Sequence, residues 1–273
     1  MKVTSLCYHD VIAGSAFSAS GFPGAESASY KLDTAAFSAH LEAIQDEVLE
    51  HRSARRPGNV LELLDGGAGR QQGCLLTFDG GGVSAITTIA PMLEDLGWRG
   101  HFFLTTDYID SPGFLTRDQI RELRRRGHVI GSHSCSRFGR MSSLSVERLV
   151  MEWGISKEIL SGLIGEEVTT AAVTFGYYSP RVAEAATLVG LKALFTLEPR
   201  ATVESRGGCL LFGRYLMKRY APAQLAGRLA VGCPYSCARQ WVCWNAEKLA
   251  KSGLGDAYPK VRRACISWQR SAH

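Results

Sequence analysis

What the chain lacks narrows its biology first. No apolar run in its 273 residues approaches the ~20 residues of a membrane-spanning helix. The N-terminus has one lysine and a short apolar stretch broken by Tyr8, His9 and Asp10, which is not the pattern of a signal peptide. A cytoplasmic location is therefore expected, with the eight cysteines reduced. Cys233, Cys237 and Cys243 cluster, but no paired Cys-x-x-Cys and no nearby histidine complete a zinc set, so free thiols are expected. The charge excess is small, a formal +5. It comes partly from Arg124, Arg125 and Arg126 and from the basic stretch around Lys260, Arg262 and Arg263. Basic residues do not interleave with aromatics, so nucleic acid is not an expected partner, whereas an acidic glycan is compatible with the charge. At 45% hydrophobic and 21% charged residues, the composition is that of a globular enzyme with ample material for a large core.

What is present is organised around Cys74 to Gly82, Cys-Leu-Leu-Thr-Phe-Asp-Gly-Gly-Gly. Cys74 to Phe78 reads as a buried strand. Asp79 stands where that strand ends, and three glycines let the backbone turn beside its carboxylate. A helix over about 85–96 follows, stopped by Gly97. An aspartate in this place either performs chemistry or only caps the next helix.

The same strand-then-helix unit recurs. Val3 to Tyr8 reads as a first strand, and Ala13 to Tyr30 as a long loop rich in Gly, Ser and Ala. Asp33 caps a helix whose apolar face is Phe37, Leu41, Ile44 and Val48. Strands are expected at 101–105, 129–132, 170–173 and 193–196, with at least one more in 209–216. Helices are expected at 116–126, with a Thr116/Gln119 capping box, and at 145–163 and 180–189. Alternating units imply a mainly parallel sheet with right-handed crossovers. The expected fold class is α/β, a distorted (β/α) barrel of about seven parallel strands over residues 1–220. Residues 221–273 read as a helical extension packed on the same domain, with pieces at 225–229, 240–251 and 258–268. Trp241, Trp244 and Trp268 are expected as core anchors there.

In such a barrel the carboxyl ends of all strands meet on one face. His9, Asp79, His133 and the Phe175-Gly176 turn then converge, which favours chemistry over capping for Asp79. His133 lies in the polar run Gly131-Ser132-His133-Ser134-Cys135-Ser136-Arg137 directly after a strand, a better place for a site than for a core histidine. Phe175, Tyr177 and Tyr178 flank Gly176, so at least one ring is expected to stack on a substrate, with Phe175 the first candidate to fill the barrel wall instead.

Leu-Thr-Phe-Asp-Gly-Gly, His-Phe-Phe-Leu-Thr-Thr, Gly-His-Val-Ile-Gly-Ser-His-Ser-Cys-Ser-Arg and Phe-Gly-Tyr-Tyr-Ser-Pro-Arg-Val, in this order, resemble the polysaccharide deacetylase family over roughly 74–200. Tyr8-His9-Asp10 and Gly21-Phe22-Pro23-Gly24 resemble its bacterial exopolysaccharide-associated branch. The resemblance implies a distorted (β/α) barrel and removal of acetyl groups from a glycan, with a divalent metal, zinc, as cofactor. It implies Asp79 as general base and His133 as a metal ligand. Gly80 stands where the family has its ligating aspartate, Arg137 where it has its second histidine, and Thr174 where it has a proline. Arginine stays protonated and offers no lone pair. Two of the three metal ligands are thus replaced, although His9 could join Asp79 and His133 in a weaker set. Two functions follow. One is a deacetylase with Asp79, His133 and Arg137 in catalytic roles, Arg137 stabilising the oxyanion, and His9, Phe175, Gly176, Tyr177 and Tyr178 binding sugar. The other is an inactive glycan-binding relative, with Arg137 on a sugar carboxylate.

Overall fold

The computed structural model describes residues 1–51, 56–65, 73–137, 139, 141–176 and 178–254. Strands are β1 (Val3–Tyr8), β2 (Val11–Ile12), β3 (Leu32–Asp33), β4 (Gly73–Gly80), β5 (His101–Leu104) and β6 (Val129–Ser132). They continue with β7 (Thr170–Ala172), β8 (Ala193–Phe195), β9 (Glu204–Arg206), β10 (Cys209–Phe212) and β11 (Tyr215–Leu216). Helices are α1 (Ala25–Ala28), α2 (Thr34–Glu50), α3 (Val60–Leu64), α4 (Ala90–Glu94) and α5 (Arg117–Arg125). After them come α6 (Val146–Ile164), α7 (Pro180–Leu188), α8 (Ala223–Ala230) and α9 (Pro234–Leu254).

Nine strands form one curled sheet in the order β11-β1-β4-β5-β6-β7-β8-β10-β9, and β2 pairs with β3 separately. All neighbours in the large sheet run parallel except β9, which pairs antiparallel with β10. The expected barrel is therefore a half-barrel, open between β11 and β9. Its strand number exceeds the expected seven because the 209–216 stretch breaks at Gly213-Arg214 into β10 and β11 and because β9 adds an antiparallel edge. The gap is partly bridged: Val3 N–H donates to Ala201 O at 2.8 Å, and Lys2 pairs with Thr202.

The two-residue alternation of β4 sorts its side chains. Cys74, Leu76 and Phe78 join the cluster packed outward against α2, α5 and α8, with Phe37, Leu41, Ile120 and Leu229. Leu75 points inward, to Phe103, Phe195 and Phe212. Thr77 and Asp79 continue that inner row. Gly131 on β6 leaves room for Phe103, since a Cβ there would sit 2.6 Å from its ring. The half-barrel thus has an aromatic floor with a polar mouth above it.

Asp33 caps α2 by accepting from Ala36 N–H at 2.8 Å, and the Thr116/Gln119 capping box opens α5. The helix expected at 85–96 begins instead as a wide π-type turn, Ala85–Ile89, before α4. α8 lies against α2 and β1. Trp241, expected in the core, is 55% exposed on α9, so only part of that helix finds a partner among the described residues. The expected helix over 258–268, Trp268 within it, and Tyr177 lie outside the described residues. No helix among the described residues is long and apolar enough to cross a membrane. Cys233, Cys237 and Cys243 are free thiols.

Candidate active site

Asp79 ends the inner row of β4 and is 5% exposed. A carboxylate buried this far needs a partner. Arg214, the residue between β10 and β11, supplies it: Nη1 donates to Oδ1 at 2.6 Å and Nη2 to Oδ2 at 2.8 Å. The guanidinium is fully buried, donates from Nε to Thr196 O at 3.0 Å and from Nη1 to Thr77 Oγ1 at 3.3 Å, and stands 5.7 Å from the Phe103 centroid. Burial alone would raise Asp79, but the Arg214 charge and hydrogen bonds, helped by His133 and His9, pull it down to about 2. The Cys7 thiol, pushed up by burial, donates to Asp79 Oδ2 at 3.6 Å.

β6 delivers His133 to the same gap from one strand further on. Its Nδ1–H donates to Ala172 O at 3.0 Å. That bond leaves Nε2 as the lone-pair nitrogen of the neutral ring, 4.0 Å from Asp79 Oδ2. Burial lowers His133, against the opposing pull of Asp79. His9 follows β1, half-buried, its ring stacked on Tyr30 with centroids 5.3 Å apart. Its Nδ1 is sealed from solvent and has no partner among the described residues. Burial brings His9 down to about 4, so it is neutral at pH 7.

Arg137 stands apart from the Asp79–Arg214 pair. It is exposed, with its guanidinium carbon 4.0 Å from the Phe22 centroid and 5.1 Å from that of Phe175. Phe175 carries a φ of 55°, an uncommon conformation for a bulky residue that costs about 1–3 kcal/mol. Its ring is 42% exposed, so it does not take the barrel-wall place that was its alternative. Tyr178 does pack on the wall, against the cluster beneath α6 and α7. Gly176, also at positive φ, is buried with no room for a side chain: a Cβ would sit 2.4 Å from Leu197. Glu152 on α6 accepts from Ser136 N–H at 2.8 Å and from Ser136 Oγ at 2.9 Å, fixing the backbone just before Arg137. Sequence reasoning missed Arg214, Glu152 and the Phe22–Arg137 contact. An arginine inside the apolar run Leu210-Leu211-Phe212-Gly213-Arg214-Tyr215-Leu216 was the available signal for the first.

Comparison with known proteins accords with this geometry. Residues 66–194 match the polysaccharide deacetylase family model. This match, just under half of the chain, and the relatives below support membership of the polysaccharide deacetylase family. The Bacillus subtilis protein YxkH, named after that family, is 22% identical over 206 residues, 76% of this chain and 68% of its own. The Streptococcus pyogenes deacetylase PplD superposes with a TM-score of 0.64 at 18% identity, covering 86% of this chain and 99% of its own. IcaB from Ammonifex degensii gives 0.65 at 20% identity, covering 84% and 97%. These structural likenesses establish the fold.

Polysaccharide deacetylases are generally metal-dependent. The donors of this chain do not fit a catalytic zinc site, which takes three protein ligands. Gly80 has no side chain, and its φ of 110° disfavours any replacement. Arg137 is a cation that cannot ligate. Nor does His9 complete the weaker set: among the described residues no three His, Cys, Asp or Glu side chains come together to hold a metal.

Proposed function

We propose that this protein removes acetyl groups from a bacterial glycan lying across the mouth of the half-barrel, with Asp79 and His133 activating the water. One observation carries the reading: Asp79 Oδ2 and His133 Nε2 are two acceptors 4.0 Å apart. A single water with hydrogen bonds of about 2.8 Å to each would span that gap at an angle of about 90°, near the angle between its two O–H bonds. Its lone pairs would then point away from the pair, toward an acetyl carbonyl.

Attack forms a carbon–oxygen bond and sends the water's proton to His133 Nε2. The resemblance assigns the base to Asp79, but a carboxyl held near 2 is poorly matched to proton transfer around neutrality, whereas His133, lowered by burial, presents a neutral ring with an Nε2 lone pair. Asp79 orients the water and stabilises the imidazolium, and Arg214 keeps Asp79 ionised and fixed. Collapse breaks the bond to the leaving nitrogen or oxygen, which takes the proton back from His133. The products are acetate and a free amine or hydroxyl. Phe175 offers a ring for a sugar face. The exopolysaccharide setting rests on the likeness of Tyr8-His9-Asp10 and the Gly21–Gly24 loop to that branch of the family.

The incomplete metal donor set favours a second reading, a glycan-binding protein that does not hydrolyse. Acetate release from acetylated oligosaccharides, measured beside binding of the same compounds, separates the two. Binding without acetate from any acetylated probe selects the second.

A further inference from the structure

Arg137 is an exposed cation at this mouth, held by several contacts. Phe22 lies beneath the guanidinium, and Phe175, held at positive φ, lies beside it. Phe22 is itself packed edge-on against Tyr108 and Phe114, with centroids 4.8 and 5.0 Å away. Its carbonyl accepts from the buried ammonium of Lys31 at 2.7 Å, as do those of Phe17 at 2.8 Å and Ser20 at 2.5 Å. From the other side, buried Glu152 holds Ser136. Among the described residues no aspartate or glutamate pairs with Arg137. A guanidinium stacked on a ring keeps its in-plane N–H groups available, and their fork matches a planar carboxylate.

We propose that Arg137 is a receptor for a sugar carboxylate, so that the glycan is acidic and carries a uronic acid or similarly carboxylated unit near the acetylated sugar. The proposal deepens the glycan reading above and rests on it. It also replaces the oxyanion role expected for Arg137. Arg137 is exposed and packs on Phe22, whereas Asp79 is already held by the buried Arg214 guanidinium. Arg219 lies against the same loop, 3.5 Å from the Phe17 centroid.

The test is titration calorimetry with an O-acetylated oligouronate and with its carboxyl-reduced counterpart, which keeps the acetyl groups and loses the charge. Wild type should bind the acidic probe about tenfold tighter or more, the size of a charge-assisted hydrogen-bonded pair. Arg137→Gln should bring the ratio close to one, and Arg137→Lys should keep only part of it, because lysine offers a point charge without the fork. Equal wild-type affinity for the two probes, or a ratio unchanged in Arg137→Gln, would overturn the receptor. Acetate release read in parallel keeps the two proposals apart. Acid-selective binding supports the receptor whether or not acetate appears; equal binding with acetate release supports hydrolysis and rejects the receptor.

Discussion

Two buried acid–base pairs of this half-barrel differ in what else they meet. Asp79 and Arg214 meet through two hydrogen bonds of 2.6 and 2.8 Å, and Asp79 Oδ2 also faces a histidine lone pair across the mouth. Asp10 and Lys31 stand 3.9 Å apart, and each is satisfied elsewhere. Asp10 Oδ1 accepts from Ser20 and Ser84 hydroxyls at 2.6 and 2.8 Å, while Lys31 donates to three backbone carbonyls. A Cβ on Gly21 or Gly82 would collide with Asp10, at 2.2 and 1.9 Å, so its surroundings are closed. Burial of charge is thus no mark of a site by itself. What sets Asp79 apart is a second titratable group, His133, with Nε2 4.0 Å from its Oδ2.

The two pairs should separate under mutation. Arg214→Met leaves the Asp79 charge buried and alone, so urea unfolding should show a loss of about 3–5 kcal/mol. Asp79→Asn in the same background should recover part of it. Lys31→Met leaves three carbonyls without a donor and should cost about 2–3 kcal/mol by the same measurement. The kinetic signatures should differ as well: Arg214→Met should lower kcat, whereas Lys31→Met, by freeing the Phe22 loop, should chiefly raise KM. A Lys31→Met enzyme with lowered kcat and unchanged KM would break the distinction.

Acid should expose the first pair. Asp79 is depressed in the folded protein to about 2 against an ordinary value of 3.8. Its contribution, about 2–3 kcal/mol, is present above about pH 4 and is lost as pH falls through about 2. His101, buried and brought down to about 4, behaves differently. Its contribution is present above its ordinary 6.5 and is lost as pH falls through about 4. Urea midpoints followed against pH should therefore fall in two windows, with only the lower one removed by Asp79→Asn. The smallest effect is expected at Thr77, whose hydroxyl takes the 3.3 Å contact from Arg214 and donates to Leu6 O at 2.9 Å. Thr77→Val should cost about 1 kcal/mol.

How much of this was legible in the sequence depends on how local each feature is. β4, β5, β6 and β7 could be read because apolar runs end in turn residues within a few positions. Asp79 and His133 could be read for the same reason, since each follows its strand directly. Arg214 could not be assigned, because it meets Asp79 from 135 residues away and only the sheet order brings them together. The Phe22–Arg137 stack depends on how a long loop folds over Lys31, which no period encodes. Trp241 was misread because an aromatic at helical spacing says nothing about whether a partner covers that face. The metal question was legible from residue chemistry alone: Gly80 and Arg137 cannot donate, wherever they lie.

In the proposed mechanism Asp79 and His133 hydrolyse acetyl groups without a metal bound between them. Acetate release from an acetylated glycan, with and without a chelator and for wild type beside His133→Ala, tests it most directly. Release that survives chelation, does not rise with added zinc and disappears in His133→Ala is the predicted result. Release abolished by the chelator and restored by zinc, or unchanged in His133→Ala, would contradict it.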